Sequence, residues 1–160
     1  MPTDDSGKVA PSAPALWVKI ATELLAIAGL GISTYLTIAH FIGTQSLACS
    51  DSGIVNCAKV TTSPQSEVFG IPVAILGLGY YIVAVAMYSP WIWNSARKAL
   101  HLAQIIFAVL GIVFVLWLIT AELIIIKSIC LWCTGVHVVT FALFVIVMAT
   151  APAVLAQASE

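Results

Sequence analysis

Two cysteines three residues apart, with a histidine four residues further on, form the clearest chemical pattern in the chain. They are Cys130, Cys133 and His137, and they open a long apolar run. Side chains three or four residues apart share one helix face, so both thiols and the imidazole should lie on one side. Ser128 is a candidate N-cap for this helix. Free N–H groups at a helix start favour the thiolate, so the pattern predicts redox-active thiols at a membrane edge.

A second cysteine pair, Cys49 and Cys57, lies in the long polar connection formed by residues 43–70. Asp51-Ser52-Gly53 between them is typical turn chemistry, which predicts a disulfide hairpin on a small lid. Counting alone still allows three pairings of the four cysteines. Two thiol pairs on one side of a membrane indicate a relay, in which one pair exchanges with a partner and the other delivers electrons to an acceptor.

Two other interpretations of the cysteines stay open. Cys130 and Cys133 could form half of a zinc site, although Cys49 and Cys57 lack the short spacing of a zinc knuckle. Both pairs could also be inert disulfides in a non-enzymatic membrane protein, such as a channel or assembly subunit. A bridge between residues three apart closes almost no loop and stabilises little, which favours exchange chemistry over a structural role.

The composition indicates an integral membrane protein. Of the 160 residues, 61% are hydrophobic and only 8% are charged, and the mean hydropathy is +1.09. Soluble domains carry about 25% charged residues. The net charge of −1 provides no basic surface, so nucleic acid is not an expected partner.

Four apolar runs predict an all-α membrane protein, a bundle of four transmembrane helices, because each run approaches the ~20 residues that cross a bilayer. The long outer loop, residues 43–70, carries the Cys49 and Cys57 pair. Residues 1–15 should form a disordered cytoplasmic tail and not a signal peptide, and residues 151–160 a second cytoplasmic tail. The predicted helices cover residues 16–42, 71–88, 99–122 and 129–150.

The distribution of basic residues predicts the orientation of the bundle. Four spans place both termini on one side, and the short loop with Arg97 and Lys98 lies there too. That side has four basic residues and the other has two, namely Lys8, Lys19, Arg97 and Lys98 against Lys59 and Lys127. Cytoplasmic loops carry the excess of Lys and Arg, so both termini should be cytoplasmic. All four cysteines then lie at the outer, oxidising face of a multi-pass plasma-membrane protein.

A lipid-soluble two-electron acceptor fits this relay, since no haem, flavin or nucleotide motif is visible. The hypothesis is a quinone, either menaquinone or ubiquinone. His137 is the strongest candidate contact, because a histidine inside a membrane helix is costly and functional by default. The other candidates are aromatic side chains expected near the outer face, namely Tyr35, Phe69, Phe114, Trp117 and Trp132.

The order of these motifs resembles the vitamin K epoxide reductase family, in its bacterial disulfide-forming branch. The resemblance covers about residues 24–145. The other bacterial quinone-linked oxidase, the DsbB type, has its two kinds of cysteine pair in the opposite order. The residues that carry the resemblance are Ser33-x-Tyr35, Cys49, Cys57 with Ser63 six residues on, Phe69-Gly70-Ile71-Pro72, and Cys130-x-x-Cys133.

The resemblance implies a four-helix bundle that encloses a quinone beside Cys133. Cys49 would take electrons from a reduced thioredoxin-fold, DsbA-like partner. Cys57 would then attack Cys130 and release Cys133 as the quinone-side thiolate. Ser63 would help to hold the loop and shape the pocket.

The family position of His137 implies a hydrogen bond to the quinone carbonyl. Two departures from the family pattern qualify these expectations. Many bacterial relatives carry a fused thioredoxin-like domain, whereas this sequence continues only ten residues past Thr150, so the partner is expected to be a separate protein. Animal enzymes have a polar amide in the second helix, where residues 82–87 here are apolar, which argues against epoxide reduction.

Overall fold

Three long apolar helices, a shorter fourth apolar helix and a structured loop make up the described fold. The computed structural model describes residues 14–43, 46–49 and 52–157. The predicted all-α membrane class is confirmed: α1, α5 with its extension, and α6 are long and apolar enough to cross a membrane, whereas α3 is shorter, at 15 residues. In chain order the helices are α1 (Leu16–Ile42), α2 (Cys57–Thr61), α3 (Val73–Met87), α4 (Pro90–Trp93), α5 (Lys98–Thr120) and α6 (Leu131–Gln157).

The boundaries of the second and third long helices differ from the predicted ones. Helix α3 begins two residues late because Ile71–Pro72 forms a strand, β2, that pairs with β1, Glu67–Val68. Helix α5 passes at Thr120 into a wider π-helical turn, Ala121–Ile126, so the helical segment continues past the predicted end at residue 122. Lys127 then adopts a left-handed conformation, with φ of 53°, and ends the turn.

Helix α6 is displaced at both ends from the predicted range of 129–150. It begins at Leu131 and continues to Gln157, so most of the predicted tail at 151–160 is helical. Pro152 lies inside this extension without ending it. Ala151 and Val154 are buried on either side, and this packing stabilises the last turns although proline removes one backbone hydrogen bond.

Tyr81 joins three helices at the centre of the bundle. Its ring is fully buried and occupies the space that a side chain at Gly29 on α1 would need. Its hydroxyl donates to the Val136 carbonyl at 3.1 Å and hydrogen-bonds the Thr140 hydroxyl at 2.8 Å, both on α6. Helix α1 can therefore pack closely on α3 and α6 only because residue 29 is glycine.

Side chains connect α3 to α5. The ring of Tyr80 stacks on that of Phe107 with 4.4 Å between centroids. The amide of Gln104 donates to the Met87 carbonyl at 2.7 Å. These contacts hold the middle and the end of α3 against the first half of α5.

The connection between α1 and α3 is a folded unit that docks on the start of α6. Asn56 caps α2 by accepting the N–H of Lys59 at 2.7 Å. Val55 pairs in parallel with Ile129. The Ile129 N–H donates to the Ile54 carbonyl at 2.8 Å, and the Asn56 N–H donates to the Ile129 carbonyl at 3.0 Å. The residues just before Cys57 are thereby held against the residue just before Cys130.

Candidate active site

The cysteine pair of the loop is joined. Cys49 and Cys57 form a disulfide with 6.1 Å between their Cα atoms, which confirms the predicted bridge. The two sulfur atoms differ in access, because Cys57 is 1% exposed at the start of α2 and Cys49 is only half-buried. A dithiol from outside the protein would therefore reach Cys49 first.

Cys130 lies near the buried end of this disulfide, beside Cys57. It is a free, fully buried cysteine, and it shares one apolar cluster with Cys57. The backbone pairing of residues 54–56 with Ile129 places the two there. Cys49 and Cys133 are partly buried and pack against the same cluster, so all four cysteines belong to one neighbourhood.

Cys130, and not Ser128, caps helix α6. The Cys130 sulfur accepts the backbone N–H of Cys133 at 3.3 Å, whereas the Ser128 hydroxyl donates to the Lys127 carbonyl. The prediction of Ser128 as the N-cap was wrong because the helix starts at Leu131, two residues later than that cap requires. A hydrogen bond from the Cys133 side chain lowers the pKa of the Cys130 thiol, against the effect of burial. The cap thus favours thiolate character at Cys130.

A cavity of about 410 Å³ lies between α1, α3, α5 and α6, below the cysteines. This volume falls within the ~300–1,000 Å³ usual for small-molecule sites. Cys133 and His137 are on its wall, one helical turn apart, as their spacing predicted. Four residues predicted for the site therefore meet at this cavity, namely Ser63, Phe114, Cys133 and His137.

His137 presents an unpaired imidazole to the cavity. The side chain is 5% exposed, and no described residue hydrogen-bonds its ring. Tyr80 is a second polar group on the wall, and its buried hydroxyl also finds no hydrogen-bond partner in the described part of the chain. Buried polar groups normally have partners, so two unpaired ones on a cavity wall indicate a ligand with acceptor atoms.

Tyr35 and Trp132 were predicted as quinone contacts, but neither side chain lines the cavity. Their rings are 4.7 Å apart between centroids. The Tyr35 hydroxyl donates to the Ser46 carbonyl at 3.0 Å and accepts the Ala48 N–H at 2.9 Å, and the Trp132 indole N–H donates to the Ala48 carbonyl at 3.1 Å. Both side chains thus hold the segment that leads to Cys49.

Phe69 was also predicted as a quinone contact, and the structure contradicts that prediction. It forms the tip of the β1–β2 hairpin with Gly70, where both residues have positive φ, of 53° and 77°. Its side chain is 100% exposed and does not line the cavity. The two-residue turn needed to return the chain into α3 directs the ring away from the bundle, so Phe69 is not a cavity contact.

Glu122 is a cavity residue that belongs to none of the sequence motifs. It is 6% exposed, it lies in the π-helical turn, and it lines the cavity with Cys133 and His137. The sequence held a signal for it: Glu122 is an isolated acid at the end of a strongly apolar run, eight residues before Cys130. Such a residue in a membrane segment is a functional candidate by default.

The fold and the site together define a class of protein: a helical membrane bundle with a disulfide in its structured loop, a free cysteine pair beside it, and an apolar cavity at the second thiol. The family model described as "Vitamin K epoxide reductase family" matches residues 20–148. The chain belongs to that family. Among curated proteins, none matches this sequence. Members of the family are oxidoreductases of the membrane that in general couple thiols to quinones.

Proposed function

We propose that this chain oxidises the dithiol of a separate thioredoxin-fold, DsbA-like protein and passes the electrons to a membrane quinone, thereby supporting disulfide-bond formation. One observation carries the proposal. Cys57 and Cys130 share a buried cluster, while Cys49 is the accessible end of the loop disulfide and Cys133 faces the cavity. The four sulfur atoms therefore form a path from the protein surface to a ligand-sized space.

Electrons enter at Cys49. A thiolate of the partner attacks the Cys49 sulfur, which forms an intermolecular disulfide and releases Cys57 as a thiolate. The second partner thiol then attacks its own bridged sulfur, so the partner leaves with a disulfide and Cys49 becomes free. The loop pair has gained two electrons and the partner has lost two.

Transfer to the helix pair follows when Cys130 and Cys133 are bonded to each other. The Cys57 thiolate attacks the Cys130 sulfur and releases Cys133 as a thiolate. Cys49 then attacks Cys57, which restores the loop disulfide and frees Cys130. The product has a bonded Cys49–Cys57 pair and two free thiols at Cys130 and Cys133, and this is the arrangement of the structure.

The cavity supports a quinone as the acceptor. Its wall is apolar apart from a few polar groups, as expected for a flat, lipid-soluble ring. His137 and Tyr80 would hydrogen-bond the carbonyl oxygens, Phe114 would pack against the ring, and Ser63 would shape the end near the loop. Closure of the Cys130–Cys133 disulfide then supplies the two electrons and two protons that convert a quinone to a hydroquinone.

The proposed orientation has both termini in the cytoplasm and the cysteines at the outer face of the plasma membrane. The structure supports it through the arrangement of the helix ends. Lys19 donates a hydrogen bond to Asn94, so the start of α1 and the loop with Arg97 lie at the same end of the bundle. Arg97 and Lys98 are exposed there, at the end opposite to the cysteines.

The test combines the purified protein, a reduced thioredoxin-fold protein, and a short-chain ubiquinone or menaquinone. We expect quinone reduction in the wild type and its loss in Cys133→Ala. A partner that keeps one cysteine, activated as a disulfide with 5-thio-2-nitrobenzoate, should form a stable mixed disulfide with Cys49 in Cys57→Ala, because neither protein then has the second thiol that would release it. Thr150→Ala is the control, since that hydroxyl only bonds carbonyls of its own helix. Absence of quinone reduction in the wild type, or full activity in Cys133→Ala, would refute the proposal.

A further inference from the structure

A carboxyl group in the cavity wall has no part in the electron path described above. Glu122 is 6% exposed, and no lysine, arginine or histidine of the described ranges forms an ion pair with it. Burying a carboxyl among apolar side chains without a counter-ion is costly. The free-energy cost of burying this carboxyl group indicates that it has a functional role.

The π-helical turn holds Glu122 in a defined place. Its backbone carbonyl accepts two N–H groups, from Lys127 and from Ser128, the latter at 3.1 Å. Single π-helical turns inside α-helices occur frequently at functional sites. The side chain lines the cavity together with Cys133, so one acid lies on the same cavity wall as the second thiol of the pair.

The redox step needs proton transfer in this place. When Cys130 and Cys133 close to a disulfide, two thiol protons must leave, and a quinone that becomes a hydroquinone must gain two. Both events occur at a largely apolar cavity wall, beside one buried and one half-buried thiol. The protons therefore need a carrier whose group can both accept and donate, and a carboxyl beside the thiols on the cavity wall meets this need.

We propose that Glu122 carries protons from the thiol pair to the quinone, an inference that rests on the proposed function. As a carboxylate, Glu122 accepts the proton of a Cys133 or Cys130 thiol. As a carboxylic acid, it passes that proton to an oxygen of the reduced quinone. Two such transfers accompany each two-electron step, and Glu122 ends each one as the carboxylate with which it began.

The decisive variant is Glu122→Gln, which keeps the size and polarity of the side chain but removes its exchangeable acid proton. We expect quinone turnover to fall about 100-fold, at the lower end of general acid–base effects. The solvent isotope effect on turnover, measured in D₂O, should rise because proton transfer becomes slower than the other steps. Transfer from the partner to the Cys130–Cys133 pair, measured without quinone, should be unchanged, as should quinone affinity.

The matched control is Glu67→Gln, the same chemical change at an exposed position on β1, and it should behave as the wild type. Glu122→Asp retains an acid and should keep part of the activity. Wild-type turnover and isotope effect in Glu122→Gln would overturn the inference. So would an equal loss of turnover, thiol exchange and thermal stability, because that result describes a purely structural carboxyl. A wild type that reduces no quinone would refute the proposed function itself, and the inference with it.

Discussion

The indole N–H of Trp132 donates a hydrogen bond, 3.1 Å long, to the carbonyl of Ala48, the residue before Cys49. Trp132 stands between Cys130 and Cys133, so this bond ties the segment of the loop disulfide to the turn of the helix pair. Tyr35 holds the same segment through Ser46 and Ala48. The distance between the two thiol pairs thus depends on side chains that take no part in the chemistry.

Trp132→Phe should slow electron transfer between the two cysteine pairs. The ring remains to pack on Tyr35, but the bond to Ala48 is lost, and a hydrogen bond contributes about 0.5–1.5 kcal/mol, or roughly 2- to 10-fold in rate. Acid quenching, alkylation and mass spectrometry of the four cysteines would measure the transfer. Trp91→Phe, at an 80% exposed position, is the control. Equal rates in Trp132→Phe and wild type would show that the bond has no positioning role.

Cys57 and Cys130 should be the pair that cross-links between the two elements. In a Cys49→Ala/Cys133→Ala variant, mild oxidation should join the remaining two cysteines, because they share one buried cluster. Peptide mapping under non-reducing conditions would identify the bridge. The matched control is Cys57→Ala/Cys130→Ala, which leaves the two outer cysteines and should cross-link much more slowly. Faster cross-linking in that control would reverse the assigned order of the relay.

His137→Phe should weaken quinone use more than thiol exchange. The ring shape is retained, but the nitrogen atoms that face the cavity are removed, so the KM for quinone should rise about 2- to 10-fold, the range for one lost hydrogen bond. Steady-state kinetics with varied quinone would measure this, and partner oxidation in a single turnover would serve as the second readout. Val138→Ala, on the exposed face of the same helix, is the control. Equal losses in both readouts would indicate that His137 is structural.

Gly29→Ala should destabilise the bundle, whereas Gly31→Ala should not. A methyl group at residue 29 overlaps the ring of Tyr81, while one at residue 31 meets no atom of the described residues within 4 Å. Forcing extra volume into a packed core typically costs about 1–3 kcal/mol. Thermal unfolding in detergent, followed by circular dichroism, compares the two variants directly. A similar midpoint for both would mean that Tyr81 moves aside without loss of packing.

Single cysteines in a cysteine-free background should report the orientation. Ser52→Cys and Ala96→Cys both occupy exposed positions, at opposite ends of the bundle. In intact cells, a membrane-impermeant maleimide should label Ser52→Cys and should reach Ala96→Cys only after the membrane is opened. The reverse pattern would invert the proposed topology and place the cysteines in the cytoplasm.

The sequence by itself determined the membrane class, the first helix and the chemical character of the site. Long apolar runs need no tertiary information, because the bilayer sets their length. The bounds of α1, Leu16–Ile42, agree with the predicted 16–42 for this reason. Helical spacing was also sufficient to place Cys133 and His137 on one face, and both line the cavity.

Only the tertiary structure decided which other side chains meet the thiols. Helical periodicity relates residues within one helix, but the roles of Tyr35, Trp132 and Phe69 depend on where the loop between α1 and α3 docks. That docking occurs through backbone bonds at Ile129, and backbone groups carry no sequence signature.

The position of the Glu122 carboxyl group was also decided only by the tertiary structure. Glu122 is the last residue of the predicted helix, 99–122, so the sequence did not show how the chain continues beyond it. The π-helical turn, visible only in the folded chain, directs it into the cavity beside Cys133, because two N–H groups converge on its own carbonyl.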